Sequence, residues 1–259
     1  PYFAKEEFSS QLEELVKTQK KVMVWLNDPA HNPTGLSMSE QGRIACLETF
    51  VDSALNNENV GHTLLIDSAY SLYADEPFAW ADTILNEIEN GMMWPDNLLI
   101  CVAVSLSKSH TIYGLRTGAL VSMHPEKEVT DRLDTVMSVT GRQTWSATPR
   151  VAQFCVSEMH SSEEGGKAWS DERDRLKDLL DNRRNILNSE CEKLGVSINP
   201  TMDGFFAWIE SSDPIAVAEK CAENDVFLVP LNGGVRIGLC ALPTDSIPKV
   251  AMALSKAMS

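Results

Sequence analysis

Four short polar segments in this 259-residue chain carry more chemistry than packing requires. They are Asn27-Asp28-Pro29-Ala30-His31-Asn32-Pro33-Thr34-Gly35, Asp67-Ser68-Ala69-Tyr70, Ser105-Leu106-Ser107-Lys108 and Gly114-Leu115-Arg116-Thr117-Gly118. Taken singly each is ordinary: an Asn-Pro turn, a helix-capping aspartate, an exposed lysine. Taken together they supply an amide, a carboxylate, a phenol and an amine, groups able to hold and move protons. Hydroxyls and a guanidinium accompany them, a pairing that suits an anion. Gly234-Val235-Arg236-Ile237 adds an arginine between apolar neighbours, and strand alternation turns it to the face opposite them. Gly141-Arg142-Gln143-Thr144-Trp145-Ser146 adds another.

The first three segments each follow a short apolar run. Residues 22–26, 63–67 and 98–104 have the continuous apolar character of buried strands, and residues 6–20 and 39–56 have helical spacing. Strand alternating with helix predicts an α/β domain with a mostly parallel sheet, whose ligands sit beyond the carboxyl ends of the strands. Three polar segments at three such ends are expected to converge on one crevice. Residues 117–123 are expected to add a strand, antiparallel if the chain turns back directly after Lys108. Residues 161–166 read as a loop, and residues 169–194 as a long charged amphipathic helix closed by Gly195. Strands at 205–210, 226–229 and 235–239 with helices at 214–224 and 244–258 then predict a smaller α+β unit. The expected domains are residues 1–165 and 166–259.

Composition narrows the function classes. A hydrophobic content of 43% with 23% charged residues supports a folded core and excludes a disordered tail. The net charge of −15 opposes nucleic acid and anionic lipid as partners. No window has the roughly 18 to 20 apolar residues of a membrane helix, and Pro1-Tyr2-Phe3 lacks the basic-then-apolar layout of a signal. Six scattered cysteines without a Cys-x-x-Cys pair read as buried free thiols in a reducing compartment, which makes a cytoplasmic location the default. The five histidines show no metal-ligand spacing. His31 reads as a turn residue, and His110 is a weaker candidate for lining a site. Met92-Met93-Trp94 and Phe205-Phe206-Ala207-Trp208 read as core or interface aromatics.

The four polar segments, in this order and at these spacings, resemble the consecutive signatures of class I aminotransferases of fold type I, the aspartate and aromatic aminotransferases. The resemblance runs through essentially the whole chain. It implies part of a large cofactor-binding domain followed by a small C-terminal α+β domain. It also implies a homodimer that moves an amino group from an amino acid, of aspartate or aromatic type, to a 2-oxo acid through pyridoxal 5′-phosphate. Lys108 then matches the lysine that holds the cofactor aldehyde as an imine, helped by desolvation or neighbouring cations such as Arg116. Its freed amine would carry the proton between the α-carbon and the cofactor C4′.

The other roles follow in the same way. Asp67 matches the carboxylate that keeps the pyridine nitrogen protonated. Tyr70 and Asn32 match the pair bonded to the phenolic oxygen, and Asn32 also borders the substrate. Ser105, Ser107 and Arg116 match phosphate ligands, and Asn32-Pro33 matches a position where a cis peptide occurs. Arg236 matches the clamp on the substrate α-carboxylate. Arg142 matches the arginine that reads a substrate side-chain carboxylate across the dimer, although Gln143-Thr144-Trp145-Ser146-Ala147-Thr148 departs from the aspartate-type pattern. A β-lyase or decarboxylase would use the same lysine, aspartate, tyrosine and arginine, and a non-catalytic regulatory module on this fold is the alternative outside enzymes. The resemblance also implies a preceding segment with the rest of the phosphate cradle and the ring that stacks on the pyridine.

Overall fold

The three apolar runs form the parallel strands of one sheet. A computed structural model of the chain describes residues 3–258, so Pro1 and Tyr2, which with Phe3 carry the reading of the chain's start, lie outside it. The elements of the first part are α1 (Lys5–Thr18), β1 (Lys21–Asn27), α2 (Glu40–Asn56), β2 (Gly61–Asp67), α3 (Ala79–Glu89), β3 (Leu98–Ser105), the single turn α4 (Leu106–Ser109), β4 (Gly118–Met123), α5 (Lys127–Thr144) and α6 (Arg150–Met159). The sheet order is β1-β2-β3-β4. β1, β2 and β3 run parallel, with Asn27 opposite Asp67 and Asp67 opposite Ala103, whereas β4 returns antiparallel with Gly118 opposite Ser105.

Two compact units result. The first contains the chain up to Asp28, Met38–Ala69 and Glu76–Gly166, and the second contains Pro29–Ser37, Tyr70–Asp75 and the chain from Lys167 onward. In the first unit the core joins Val22, Leu64, Ile66, Leu98 and Ile100 on the sheet to Cys46, Leu47 and Phe50 on α2 and Trp80 and Ile84 on α3. Each such large side chain, once fully buried, contributes roughly 1.5–3 kcal/mol. Ser39 caps α2 by accepting from Gly42 N at 3.2 Å. Asp28, at the end of β1, accepts from Met38 N at 2.7 Å and Trp80 Nε1 at 2.8 Å, and the buried Arg43 guanidinium lies 4.0 Å away. Residues 127–144 and 150–159 are helices that the pattern reading leaves unassigned, although Val129, Leu133 and Val136 recur at helical spacing.

The second unit holds most of α7 (Glu163–Lys193), then β5 (Phe206–Glu210), α8 (Pro214–Ala222), β6 (Val229–Leu231), β7 (Gly234–Gly238) and α9 (Ile247–Met258). Its sheet is antiparallel in the order β5-β7-β6. Leu187, Ala207, Ile209, Val235, Ile237 and Leu254 are fully buried in its core. Two expectations are corrected here. Residues 163–166 are helical and not loop, because Ser162 Oγ accepts from Gly165 N at 3.1 Å and caps the first turn despite two glycines. The second strand of this unit is at residues 229–231 and not 226–229, because Val226 N bonds Cys221 O at 3.1 Å and so closes α8 instead of joining a ladder. Among the described residues no helix is long and apolar enough to cross a membrane.

Candidate active site

Parallel pairing sets the carboxyl ends of β2 and β3 side by side. β3 runs two residues beyond the partner of Asp67, and α4 starts at once, so Lys108 lies within a turn of the strand end. Asp67 Oδ1 accepts from Ala69 N at 3.1 Å and Oδ2 from Trp25 Nε1 at 3.3 Å. Each oxygen has two lone pairs, so the carboxylate keeps capacity for another donor. Asn27 Nδ2 donates to the Asp67 backbone carbonyl at 2.8 Å and fixes the strand end.

Lys108 is half-buried, and its Nζ stands 4.5 Å from the centre of the Tyr113 ring. The Arg116 guanidinium lies 5.1 Å from the same ring, so one aromatic side chain serves two cations. Arg116 adopts a left-handed backbone conformation with φ 53°, and its Nη1 donates to Ser107 Oγ at 3.2 Å and Tyr113 O at 2.9 Å. The return into β4 begins when Leu106 N donates to Thr117 O at 3.1 Å. The end of β3, the α4 turn and the return to β4 therefore carry Ser105, Ser107 and Lys108, and Arg116, with Arg116 bonded to Ser107. The Ser105 side chain makes no capping bond to α4. His110 is engaged elsewhere, with Nδ1 2.8 Å from Ser109 Oγ and Nε2 3.0 Å from His160 Nε2, and burial followed by the His160 charge pushes its pKa down.

The second unit gathers the remaining candidates. The peptide Asn32-Pro33 is cis, and Gly35 N bonds His31 O at 2.6 Å to close the turn. Burial lowers the pKa of His31, whose Nδ1 pairs with Thr34 Oγ1 at 2.8 Å, a turn contact. In β7, Val235 and Ile237 are fully buried and Arg236 lies on the opposite face. Arg236 Nη1 donates to Asn32 Oδ1 at 3.0 Å, its guanidinium lies over the Phe206 ring at 4.5 Å, and its Nε is buried without a hydrogen-bond partner. Tyr70 is buried with its ring against Phe205 and Phe206 at 5.3 and 5.6 Å. Phe206, read from sequence as a core or interface aromatic, thus contacts both Tyr70 and Arg236. Tyr113 and Trp25 were equally hidden, one in a turn and the other as a strand residue. Arg142 is exposed on the last turn of α5 and makes no bond to any of these residues.

Residues 4–254 match the model of the family described as aminotransferase class I and II. The chain belongs to the class I and II aminotransferases. It is 26% identical to an aromatic-amino-acid aminotransferase of Paracoccus denitrificans, over 96% of this chain and 60% of that protein. It is 27% identical to the cytoplasmic aspartate aminotransferase of Gallus gallus, over 96% of this chain and 57% of that protein. An aminotransferase structure from Anaerococcus prevotii aligns with a TM-score of 0.89 at 25% identity, over 99% of this chain and 61% of that one. The fold is also shared with a Burkholderia pseudomallei aromatic-amino-acid aminotransferase that is covalently bound to pyridoxal phosphate, at a TM-score of 0.76 and 22% identity. The chain spans about three fifths of the length of these relatives. Its mixed, mostly parallel first sheet is that of a fold type I aminotransferase.

Proposed function

We propose that this aminotransferase transfers an amino group from an amino acid to a 2-oxo acid, with pyridoxal 5′-phosphate held by Lys108. The observation that supports it most is that α4, directly after β3, carries Ser107 and Lys108, with Arg116 of the return to β4 bonded to Ser107, next to the strand ending in Asp67. The donor set fits the cofactor. A guanidinium and two serine hydroxyls suit a phosphate dianion, and Asp67 has lone pairs left for a protonated ring nitrogen. The bound cofactor would serve as the electron sink for charge released at the substrate α-carbon.

The chain's own residues do the rest. Lys108 Nζ would hold the cofactor and, as a free amine, would carry the proton of the substrate α-carbon. Asn32 accepts from Arg236 through its amide oxygen, so its Nδ2 is the end that would face the cofactor's phenolic oxygen, with the Tyr70 hydroxyl as the second donor. Arg236 receives the α-carboxylate, which would give its buried Nε a partner. Aspartate and aromatic amino acids are the favoured donors, supported by the activities of the named relatives. The same reading takes the protein as a cytoplasmic homodimer in which Arg142 meets a side-chain carboxylate of the substrate. It takes residues 1–165 as the large domain's share and 166–259 as the small domain.

Borohydride reduction of the protein with pyridoxal phosphate, followed by peptide mapping, should place the label on Lys108. A label on another lysine would remove the centre of the proposal. Lys108→Ala should retain noncovalent cofactor and lose turnover by at least about 10² to 10⁴ fold, the range of a lost general acid–base. Formation of a 2-oxo acid with the pyridoxamine form supports transfer, whereas pyruvate with ammonia from a β-substituted substrate means elimination.

A further inference from the structure

The second unit contains a buried carboxylate that the proposed chemistry does not use. Asp203 is 4% exposed and stands just before Gly204-Phe205-Phe206. Its Oδ2 accepts from Ser37 Oγ at 2.5 Å, and its Oδ1 accepts from Asp75 N at 3.0 Å. Ser37 Oγ in turn accepts from Ala30 N at 2.9 Å, so the single hydroxyl proton points to Asp203. One carboxylate thereby ties the end of the segment Pro29–Ser37 to the end of the segment Tyr70–Asp75.

Neighbouring contacts reinforce the tie. Met202 N and Asp203 N both donate to Gly35 O at 2.9 and 3.0 Å, Thr201 Oγ1 donates to Thr34 O at 3.1 Å, and Gly204 N donates to Tyr73 O at 3.1 Å. There is no space for slippage, because a Cβ on Gly35 would stand 2.3 Å from Phe206 O and one on Gly204 2.7 Å from Ala30 Cβ. Arg184, itself 4% exposed, donates to Gly204 O at 2.7 Å and offsets part of the buried negative charge. A carboxylate with two directed donors fixes orientation in a way an apolar contact does not. The two segments it joins are those that carry Asn32 and Tyr70.

We propose that Asp203 is a positioning residue of this aminotransferase, latching the 29–37 and 70–75 segments so that Asn32 and Tyr70 stay aimed at the cofactor's phenolic oxygen. The inference rests on the function proposed above. Asp203 acts through Ser37 and the Asp75 amide, the donors to its two carboxylate oxygens.

Two measurements on the whole protein test this in Asp203→Ala, Asp203→Asn and the core control Leu254→Ala. The first is hydrogen exchange by mass spectrometry, without added cofactor, over peptides covering residues 29–37 and 70–75. The second is the pH midpoint of the visible absorbance after addition of pyridoxal phosphate. Asp203→Ala should speed exchange in both segments about tenfold or more. It should also raise the absorbance midpoint by about one pH unit, because an oxygen deprived of donors strengthens proton retention beside it. Asp203→Asn keeps one acceptor oxygen and should fall between. Leu254→Ala should lower the melting temperature and move neither readout. Unchanged exchange in Asp203→Ala would overturn the latch, and faster exchange with an unmoved midpoint would overturn the positioning role. A wild-type protein that shows no cofactor absorbance would overturn the proposed function and the positioning role with it, while exchange alone would then report whether the segments are tied.

Discussion

Replacing Arg236 separates a substrate clamp from a structural arginine, because the two roles predict different balances of stability and catalysis. In the substrate-free protein Arg236→Ala loses the bond to Asn32, about 1.5–3 kcal/mol for a charged donor, and the contact with Phe206, about 0.5–2 kcal/mol. It also removes the buried Nε that lacks a partner, which relieves a desolvation penalty of about 1–3 kcal/mol. At their midpoints these terms leave a net loss of about 1.5 kcal/mol, within a range from a gain of about 1 to a loss of about 4 kcal/mol, and the midpoint lowers the melting temperature by about 3–6 °C at roughly 2–4 °C per kcal/mol. Loss of a charge-assisted carboxylate pair costs about 2–5 kcal/mol. At about 1.4 kcal/mol per decade, kcat/KM should fall about 30-fold to several thousand-fold for every amino acid donor. Arg236→Lys keeps the charge without the fork and should recover only part of the loss. Steady-state rates with aspartate and with phenylalanine, set beside thermal melts, decide the matter. A kcat/KM within threefold of wild type, a loss confined to one donor, or a loss no larger than the fall in folded protein would refute the clamp.

Three further perturbations test other parts of the molecule. Arg142→Ala should leave the melting temperature unchanged, as expected for an exposed helix end, and penalise dicarboxylic donors selectively; equal losses for aspartate and phenylalanine would show that it reads no side chain. Asp28→Ala leaves Met38 N and Trp80 Nε1 without their acceptor and the buried Arg43 without its buried counter-charge, so urea unfolding should show a loss of about 3–5 kcal/mol, and a loss below 1 kcal/mol would contradict the assigned contacts. His62 is buried between Val60 O and Ser53 Oγ, and burial holds its pKa below 6.5 despite the opposing Val60 bond. The unfolded chain then takes up the proton first, so this contribution is complete above about pH 6.5 and is lost as pH falls toward the depressed folded value; His62→Asn should flatten the stability slope in that window, and an unaltered slope would exclude His62 as its source.

The groups of the proposed site could be picked out in the sequence because each lies on a strand or within a few residues of a strand end. Asp67 closes β2, Lys108 follows β3 by three residues, and Asn32 follows β1 by five. Apolar runs define such strands locally, and the direction of β4 followed from the short return after Lys108. The second strand of the second unit, β6, was displaced because its extent is set by pairing with β7, a partner the local pattern does not reveal. α5 went unassigned although its spacing was present; its Val136, Met137 and Val139 are exposed, which weakens the contrast between faces on which amphipathic reading depends.

Orientation was the part that sequence could not supply. The Asn32 amide is aimed by Arg236, 204 positions away, and Asp203 reaches Ser37 and Asp75 across 166 and 128 positions. In sequence Asp203 is indistinguishable from a solvated turn aspartate, since Met202 beside it is exposed and Gly204 after it suggests only a bend. Phe206 likewise reads as core until β5 pairs with β7 and brings Arg236 over its ring. Candidate reactive groups can therefore be proposed from their nearest strand. The contacts that hold Asn32, Tyr70 and Arg236 at usable angles exist only once distant segments have met, and those contacts are where substitutions outside the recognisable motifs should alter catalysis.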